Sequence, residues 1–395
     1  MLMKNDIFKQ AVLLVGSILA GCLLSCNKKD ILPSDTIVSE TEDVEGNLGA
    51  AETANCYVIS EVGDYHFPAL KGNGSEPVYK VASAEVLWET FGTSATPKKG
   101  DLIAEVSYDG SSNTVSFTTA TAFRKGNALI AAKDASGKVL WSWHIWMTDK
   151  PEDQAYNNGA GTMMDRNLGA TSATPGDVGA LGLLYQWGRK DPFMGASDIA
   201  EGTTTQAAST IGPWPHYVIS DASTGTVDYA VANPTTYIAG NVYNRDWYYT
   251  GDGKTDNTRW QPEKTIYDPC PPGYHIPQGW LEGVWAVANK NKAITYMDKF
   301  DDMNKGFNFS SSVNIECNFS KASVCWYPAA GEFGQELSGG PTLDGVGTSG
   351  SYWCCHQLMI EEENRSSVLY FTKSYLSAIT LLERGEACSV RCMKE

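Results

Sequence analysis

Positive charge is in short supply in this chain. Lysine and arginine number 30 against 46 aspartates and glutamates, for a formal net charge of −16 at pH 7. That balance argues against a nucleic-acid partner, whose phosphates need a face rich in lysine and arginine, and suits a soluble, exposed protein. Histidine is scarce too. The five, at 66, 144, 216, 275 and 356, show no ligand spacing, so no zinc site is expected. H-E-x-x-H, G-x-S-x-G and C-x-x-C do not occur, so metalloprotease, nucleophile-elbow and dithiol chemistry lack their sequence marks. Paired carboxylates for glycoside hydrolysis need only meet in space, and nothing nominates a pair. No stretch beyond residue 26 is long and apolar enough to span a bilayer.

What is present begins with an address. Residues 1–26 read as a signal peptide. Lys4 and Lys9 form the positive end, and Ala11 to Ala20 is an apolar run too short for a span. Small residues and cysteine follow, as in a bacterial lipoprotein signal. Leu19-Ala20-Gly21-Cys22 and Leu23-Leu24-Ser25-Cys26 compete as the lipidation site. Cys26 is the expected lipid-bearing residue because it leaves a polar mature end, with Cys22 the alternative. Palmitate-type acylation would then be the only membrane anchor. Residues 27–50 carry six acids and two lysines with no aromatic, so they cannot bury a core and read as a flexible acidic tether.

The expected fold class is α+β, mostly β. Gly 38, Tyr 19 and Trp 12 point to a loop-rich structure. Residues 51–150 contain short strand-like runs from Asn55 to Ser60, Tyr65 to Leu70, Val81 to Leu87, Leu102 to Tyr108 and Thr114 to Thr118. The clearest hairpin joins Ala128–Ala132 to Val139–Met147 through Asp134-Ala135-Ser136-Gly137. Trp141, Trp143, Ile145 and Met147 share one face at period two and read as core, and His144 points to the other face. An immunoglobulin-like sandwich is the natural solution. Residues 151–395 are rich in glycine, aromatics and asparagine. Helical spacing appears from Gly279 to Lys290, and a shorter helix is expected near Gly179 to Tyr185.

Six blocks in this second part stand out. They are Met164-Asp165-Arg166-Asn167-Leu168-Gly169-Ala170, Gly182 to Phe193, Asp268 to Pro277 with Trp280 after it, Tyr327 to Gly331, Gly350-Ser351-Tyr352-Trp353, and Cys388-Ser389-Val390-Arg391-Cys392. In order and spacing they resemble the Fibrobacter succinogenes major paralogous domain, over residues 160–395. Similar domains occur in lipoproteins of gut Bacteroidota, including tip-type fimbrial subunits, and residues 55–149 resemble the sandwich that accompanies them. The resemblance implies a C-type-lectin-like, loop-rich α+β domain, an outer-membrane, cell-surface setting, and no enzymatic activity. It also implies a disulfide between Cys270 and Cys392. The chain departs from the family at Cys354-Cys355, which leaves the remaining cysteine pairings open.

Two short motifs have weak context. Gly345-Val346-Gly347-Thr348-Ser349-Gly350 matches a dinucleotide-binding glycine pattern, but neither a preceding hydrophobic strand nor a following helix start accompanies it. Gln261-Pro262-Glu263 resembles the calcium-binding tripeptide of sugar-binding lectins, without its partner motif. No metal or cofactor is expected. The candidate ligand-binding region is residues 195–262, with Trp214, Tyr243, Asn244, Arg245, Asp246, Trp247 and Trp260. Aromatic faces there can stack on sugars or anchor a protein while Asn, Asp and Arg direct hydrogen bonds. The alternative is that these aromatics fill the core. Residues 244–249 read as an aromatic strand ending in an exposed turn. The expected function is adhesion or recognition of a glycan or host protein, as a fimbrial tip subunit among other fimbrial subunits. The alternatives are a structural pilus component or a carbohydrate-active enzyme.

Overall fold

The computed structural model describes residues 46–95, 97–196, 216–251, 255–336, 340–355 and 364–395. The signal peptide with Cys22 and Cys26, the tether up to residue 45, and Trp214 lie outside the described residues.

Strands form where the sequence alternates. A four-stranded sheet runs in the order Cys56–Ile59, Val139–Met147, Gly126–Lys133, Ser83–Thr90. Its first pair is parallel and the others antiparallel. Asp64–Pro68, Thr114–Thr119 and Ile103–Asp109 make a three-stranded antiparallel sheet. In Thr114–Thr119 the apolar Val115 and Phe117 turn inward between threonines, as a period of two requires. The hairpin turn is fixed by Asp134, whose Oδ1 accepts from the Ser136 and Lys138 backbone N–H groups at 2.8 and 3.0 Å. Gly137 supplies the left-handed φ of 85° that closes it. Phe67, Val115, Phe117, Ile130, Trp143 and Ile145 pack together as the core of this part. The Phe67 and Trp143 rings meet edge to face at 5.1 Å.

Trp141, Trp143, Ile145 and Met147 all belong to that core. The opposite face of the strand is buried as well, which the alternation did not announce. Trp146 donates its indole N–H to the Ala170 carbonyl at 2.9 Å. Ser142 donates to Asp191 at 2.6 Å. His144 is almost fully buried and shares a hydrogen bond with Asn127 at 2.9 Å. Burial pushes its pKa down to about 3, so the ring is neutral. A second core covers this face, joining Cys56, Trp88, Leu129 and Trp146 to Leu168, Trp187, Trp260 and Trp353. Gly46–Glu395 therefore lies within one compact unit.

The second part is built on a larger sheet. Its order is Ile294–Tyr296, Tyr375–Glu383, Arg365–Thr372, Ser349–Trp353, Ala387–Ser389, Glu332–Glu336, Gly340–Asp344, with Leu184–Gln186 also paired to Ala387–Ser389. The protein is mostly β, and among the described residues the helices are short. The helical spacing from Gly279 to Lys290 yields only Val284–Ala288. Trp280 is left-handed at φ 67°, and a Cβ on Gly279 would come within 2.6 Å of Cys354 Sγ. This tight contact pins the segment before the helix can start. The helix expected near Gly179 to Tyr185 is a single 3-10 turn at Val178–Ala180 followed by the Leu184–Gln186 strand. Gly182 separates the two at φ 75°.

Cys270 and Cys392 form a disulfide with Cα atoms 5.9 Å apart, closing 122 residues of chain. The proline-rich loop around it is held by Asp268, whose buried carboxylate accepts from the Cys270 and Ile276 N–H groups at 2.8 and 2.9 Å. Asn55 ties this loop to the first part. Its Nδ2 donates to the carbonyls of Ile266 and Asp268, each at 2.8 Å, and its Oδ1 accepts from the Trp141 indole at 3.0 Å. Replacing both Cys270 and Cys392 by serine is expected to lower unfolding stability by about 4–5 kcal/mol on the chain-entropy account. Urea titration would read this as a lower midpoint. An unchanged midpoint would mean that the loop is held by Asp268 and packing alone.

Candidate functional site

The aromatic candidates separate into interior and surface. Trp247 and Trp260 are buried, as is Asp246. The Trp247 indole donates to the Trp187 carbonyl at 2.7 Å, and the Trp260 indole to the Tyr267 carbonyl at 2.9 Å. The Arg259 guanidinium lies 4.2 Å over the Trp247 ring, and that of Arg384 lies 4.1 Å over Trp187. Asp246 sits between these cations, 3.3 Å from Arg259 and 3.9 Å from Arg384. Burial raises its pKa while the two arginines pull it back. These three candidates make an internal cage and present nothing to solvent.

Tyr243 is the opposite case, 88% exposed. Asn244 and Arg245 are half-buried beside it, and Arg245 reaches Glu383 at 3.3 Å. The aromatic strand expected over residues 244–249 does not form. Asn241 Oδ1 accepts from the N–H groups of Tyr243 and Asn244, Asn244 Oδ1 from Asp246, and Asp246 Oδ1 from Tyr248. Successive side-chain bonds to the local backbone replace the sheet ladder.

A groove of about 530 Å³ opens elsewhere. Three segments build it. One is the turn after the Asp153–Tyr156 strand, with Asn157 and Asn158. Another is the exit of the Val284–Ala288 helix, with Asn289, Lys290 and Lys292. The third is the loop containing Ser311, Ile315, Glu316, Asn318 and Lys321. Asn158 locks the first two together: its Nδ2 donates to the Val287 and Ala288 carbonyls at 3.1 and 2.8 Å. Asn157 joins the third by donating to Asn318 Oδ1 at 2.6 Å, while its backbone N–H bonds the Phe319 carbonyl at 2.7 Å. The helix closes with the paired bonds of a Schellman end, Asn291 N–H to Ala286 and Lys290 N–H to Val287. Lys290 stands where glycine usually does, at φ 59°, with Asn291 at 60° and Asn158 at 59°. Left-handed non-glycine residues cost free energy and gather where the surrounding structure has a use for them. The groove thus offers amides and cations around Ile315, an isoleucine 82% exposed.

Sequence reasoning passed over these residues. The usable signal was Lys290-Asn291-Lys292, a basic run in an acidic chain, together with the Asn157-Asn158-Gly159 turn. No group of three or more His, Cys, Asp and Glu among the described residues is set to hold a metal ion. The glycine pattern at 345–350 is a turn between strands, and Ser349–Trp353 follows it as a strand rather than a helix. In comparisons with known proteins, no family model, no curated protein and no solved structure matches this chain.

One acidic cluster lies apart from the groove. Pairing of Phe333 with Ala387, and of Glu332 with Asp344, sets Glu332, Asp344 and Glu386 on one sheet face. Burial, then the charges of Glu332 and Glu383, push Glu386 up to about 8. Glu332 is raised by burial and by Asp344, against a hydrogen bond from Ser351. A carboxyl whose folded pKa exceeds its unfolded value binds its proton more tightly when folded, so stability falls as pH rises from the unfolded value toward about 8. Glu386→Gln is therefore expected to raise the thermal midpoint above that of the native chain at pH 9 and to leave the two alike at pH 4. An equal gap at both pH values would contradict the assignment.

Proposed function

We propose that this chain is a lipid-anchored recognition module of the bacterial outer membrane, of the Fibrobacter succinogenes major paralogous type. In this reading Cys26 carries the lipid, residues 27–50 act as the tether up to the point where Gly46 and Leu48 pair with His66, and an immunoglobulin-like sandwich supports a C-type-lectin-like domain that meets a glycan or host protein. The observation that carries it is the groove beside Asn158, Lys290 and Asn318, where three loop segments are locked by side-chain hydrogen bonds. Pre-ordered clefts of about 300–1,000 Å³ with a few directed polar groups are typical of small-ligand sites. Among the described residues no helix is long and apolar enough to cross a membrane, which fits anchoring through lipid.

A second reading is a structural pilus component, such as a subunit that exchanges strands with its neighbours. It is favoured by the pairing of residues 46–48 against the edge of the Asp64–Pro68 strand, where Leu48 N–H meets the His66 carbonyl and His66 N–H meets Gly46, both at 2.9 Å. A carbohydrate-active enzyme has less support, because Glu332 and Glu386 do not line the groove.

The soluble chain from Asn27, applied to a broad glycan and mucin array, is expected to bind a defined subset. Ser311→Trp places a bulky ring in the groove from an exposed position and should abolish that binding with an unchanged unfolding midpoint. Loss in Tyr243→Ala instead would move the site to the exposed edge of the insert. No binding by the folded native chain would favour a protein partner or the pilus reading.

A further inference from the structure

We infer that the groove selects acidic saccharides, with a carboxylate or sulfate of the ligand seated among Lys290, Lys292 and Lys321. This rests on the recognition reading above and narrows its ligand.

Charge placement is the first ground. The chain carries −16 overall, yet the groove sets three lysines against a single acid, Glu316. Lysines elsewhere are commonly neutralised by a carboxylate. Lys71 meets Glu76 and Lys133 meets Glu85, both at 2.6 Å, and Lys373 meets Asp302 at 2.5 Å. Among the described residues, no carboxylate lies within ion-pair distance of Lys290, Lys292 or Lys321. All three are exposed, so their charge is available to a ligand.

Backbone geometry is the second. Lys290 occupies the left-handed position that ends the helix, φ 59°, where glycine would sit without strain. Against that strain a lysine there gains only the modest attraction of a cation for the carbonyl end of the helix. The side chain it adds is a cation at the rim of the groove.

The third ground is what the remaining surface excludes. A long polyanion such as nucleic acid, or an anionic bilayer, would have to approach a surface dominated by acids and be repelled. A short acidic ligand inside the groove meets only the local field, which low salt strengthens. The volume suits about two or three sugar rings. The exposed Ile315 offers an apolar contact, and the half-buried Asn318 amide offers a hydrogen bond to a hydroxyl group.

Titration of the soluble chain with 3′-sialyllactose, a 4-sulfated chondroitin disaccharide and lactose tests this. One or both acidic sugars should bind at least about tenfold more tightly than lactose, and the difference should shrink as salt is raised. The combined Lys290→Gln, Lys292→Gln and Lys321→Gln variant should bind the acidic sugars no better than lactose, with its unfolding midpoint retained. Lys290→Gly alone should raise the midpoint while weakening acidic-sugar binding, an opposition that a purely structural lysine would not produce. Equal binding of lactose and the acidic sugars, or acidic-sugar binding untouched in the triple variant, would overturn the inference and leave glycan recognition standing. Phosphatidylserine vesicles or polyglutamate bound as tightly as the acidic sugars would overturn the saccharide assignment. Absence of any saccharide binding, here and on the array, would remove both.

Discussion

The Val139–Met147 strand has no free face, and much of the structure follows from that. Trp141, Trp143 and Ile145 face the core shared with Phe67, Val115 and Phe117, while Ser142, His144 and Trp146 face the second part of the chain. A sheet with one solvated face would leave its polar side to water. Here the polar positions must be satisfied internally. His144 finds Asn127, and Lys190 donates to the Ser142 carbonyl at 3.0 Å and to Asp191 at 2.6 Å, with its ammonium 4.6 Å from the centre of the Trp141 ring. Removing one partner of so deeply buried a pair would leave an uncompensated charge, at a cost of about 3–5 kcal/mol.

The second part contains little regular structure in its loops, so its carbonyls need partners from side chains. Tryptophan supplies many of them. Trp146 donates to Ala170, Trp187 to Cys354, Trp247 to Trp187, Trp260 to Tyr267 and Trp353 to Tyr185, all at 2.7 to 2.9 Å. Each indole fills volume and satisfies one buried carbonyl in the same act. The arginines stacked on these rings extend the pattern into charge. The tryptophan content of the chain is thereby a property of how its loops are held.

The strands of the first part were legible because their signals are local. Period-two alternation and the Asp134 to Gly137 turn need only neighbouring residues. The large sheet was not, because Leu184–Gln186 and Ala387–Ser389 are three residues long and buried on both faces, which erases alternation. Helical spacing misled from Gly279 onward because the contact of Gly279 with Cys354 is remote in sequence. In the insert, composition could not say which aromatics face inward: Trp247 and Tyr243 sit four positions apart and differ completely in exposure. The groove was hidden for a related reason. Its three polar segments are separated along the chain and meet through Asn157, Asn158 and the pairing of Tyr156 with Ser320.

If the double-sided strand couples both parts as described, the soluble chain from Asn27 cannot lose one part without exposing the other. Differential scanning calorimetry should then show a single transition with agreeing calorimetric and van't Hoff enthalpies. Two resolved transitions, with near-native signal surviving between them, would contradict the account and return the chain to two independent domains.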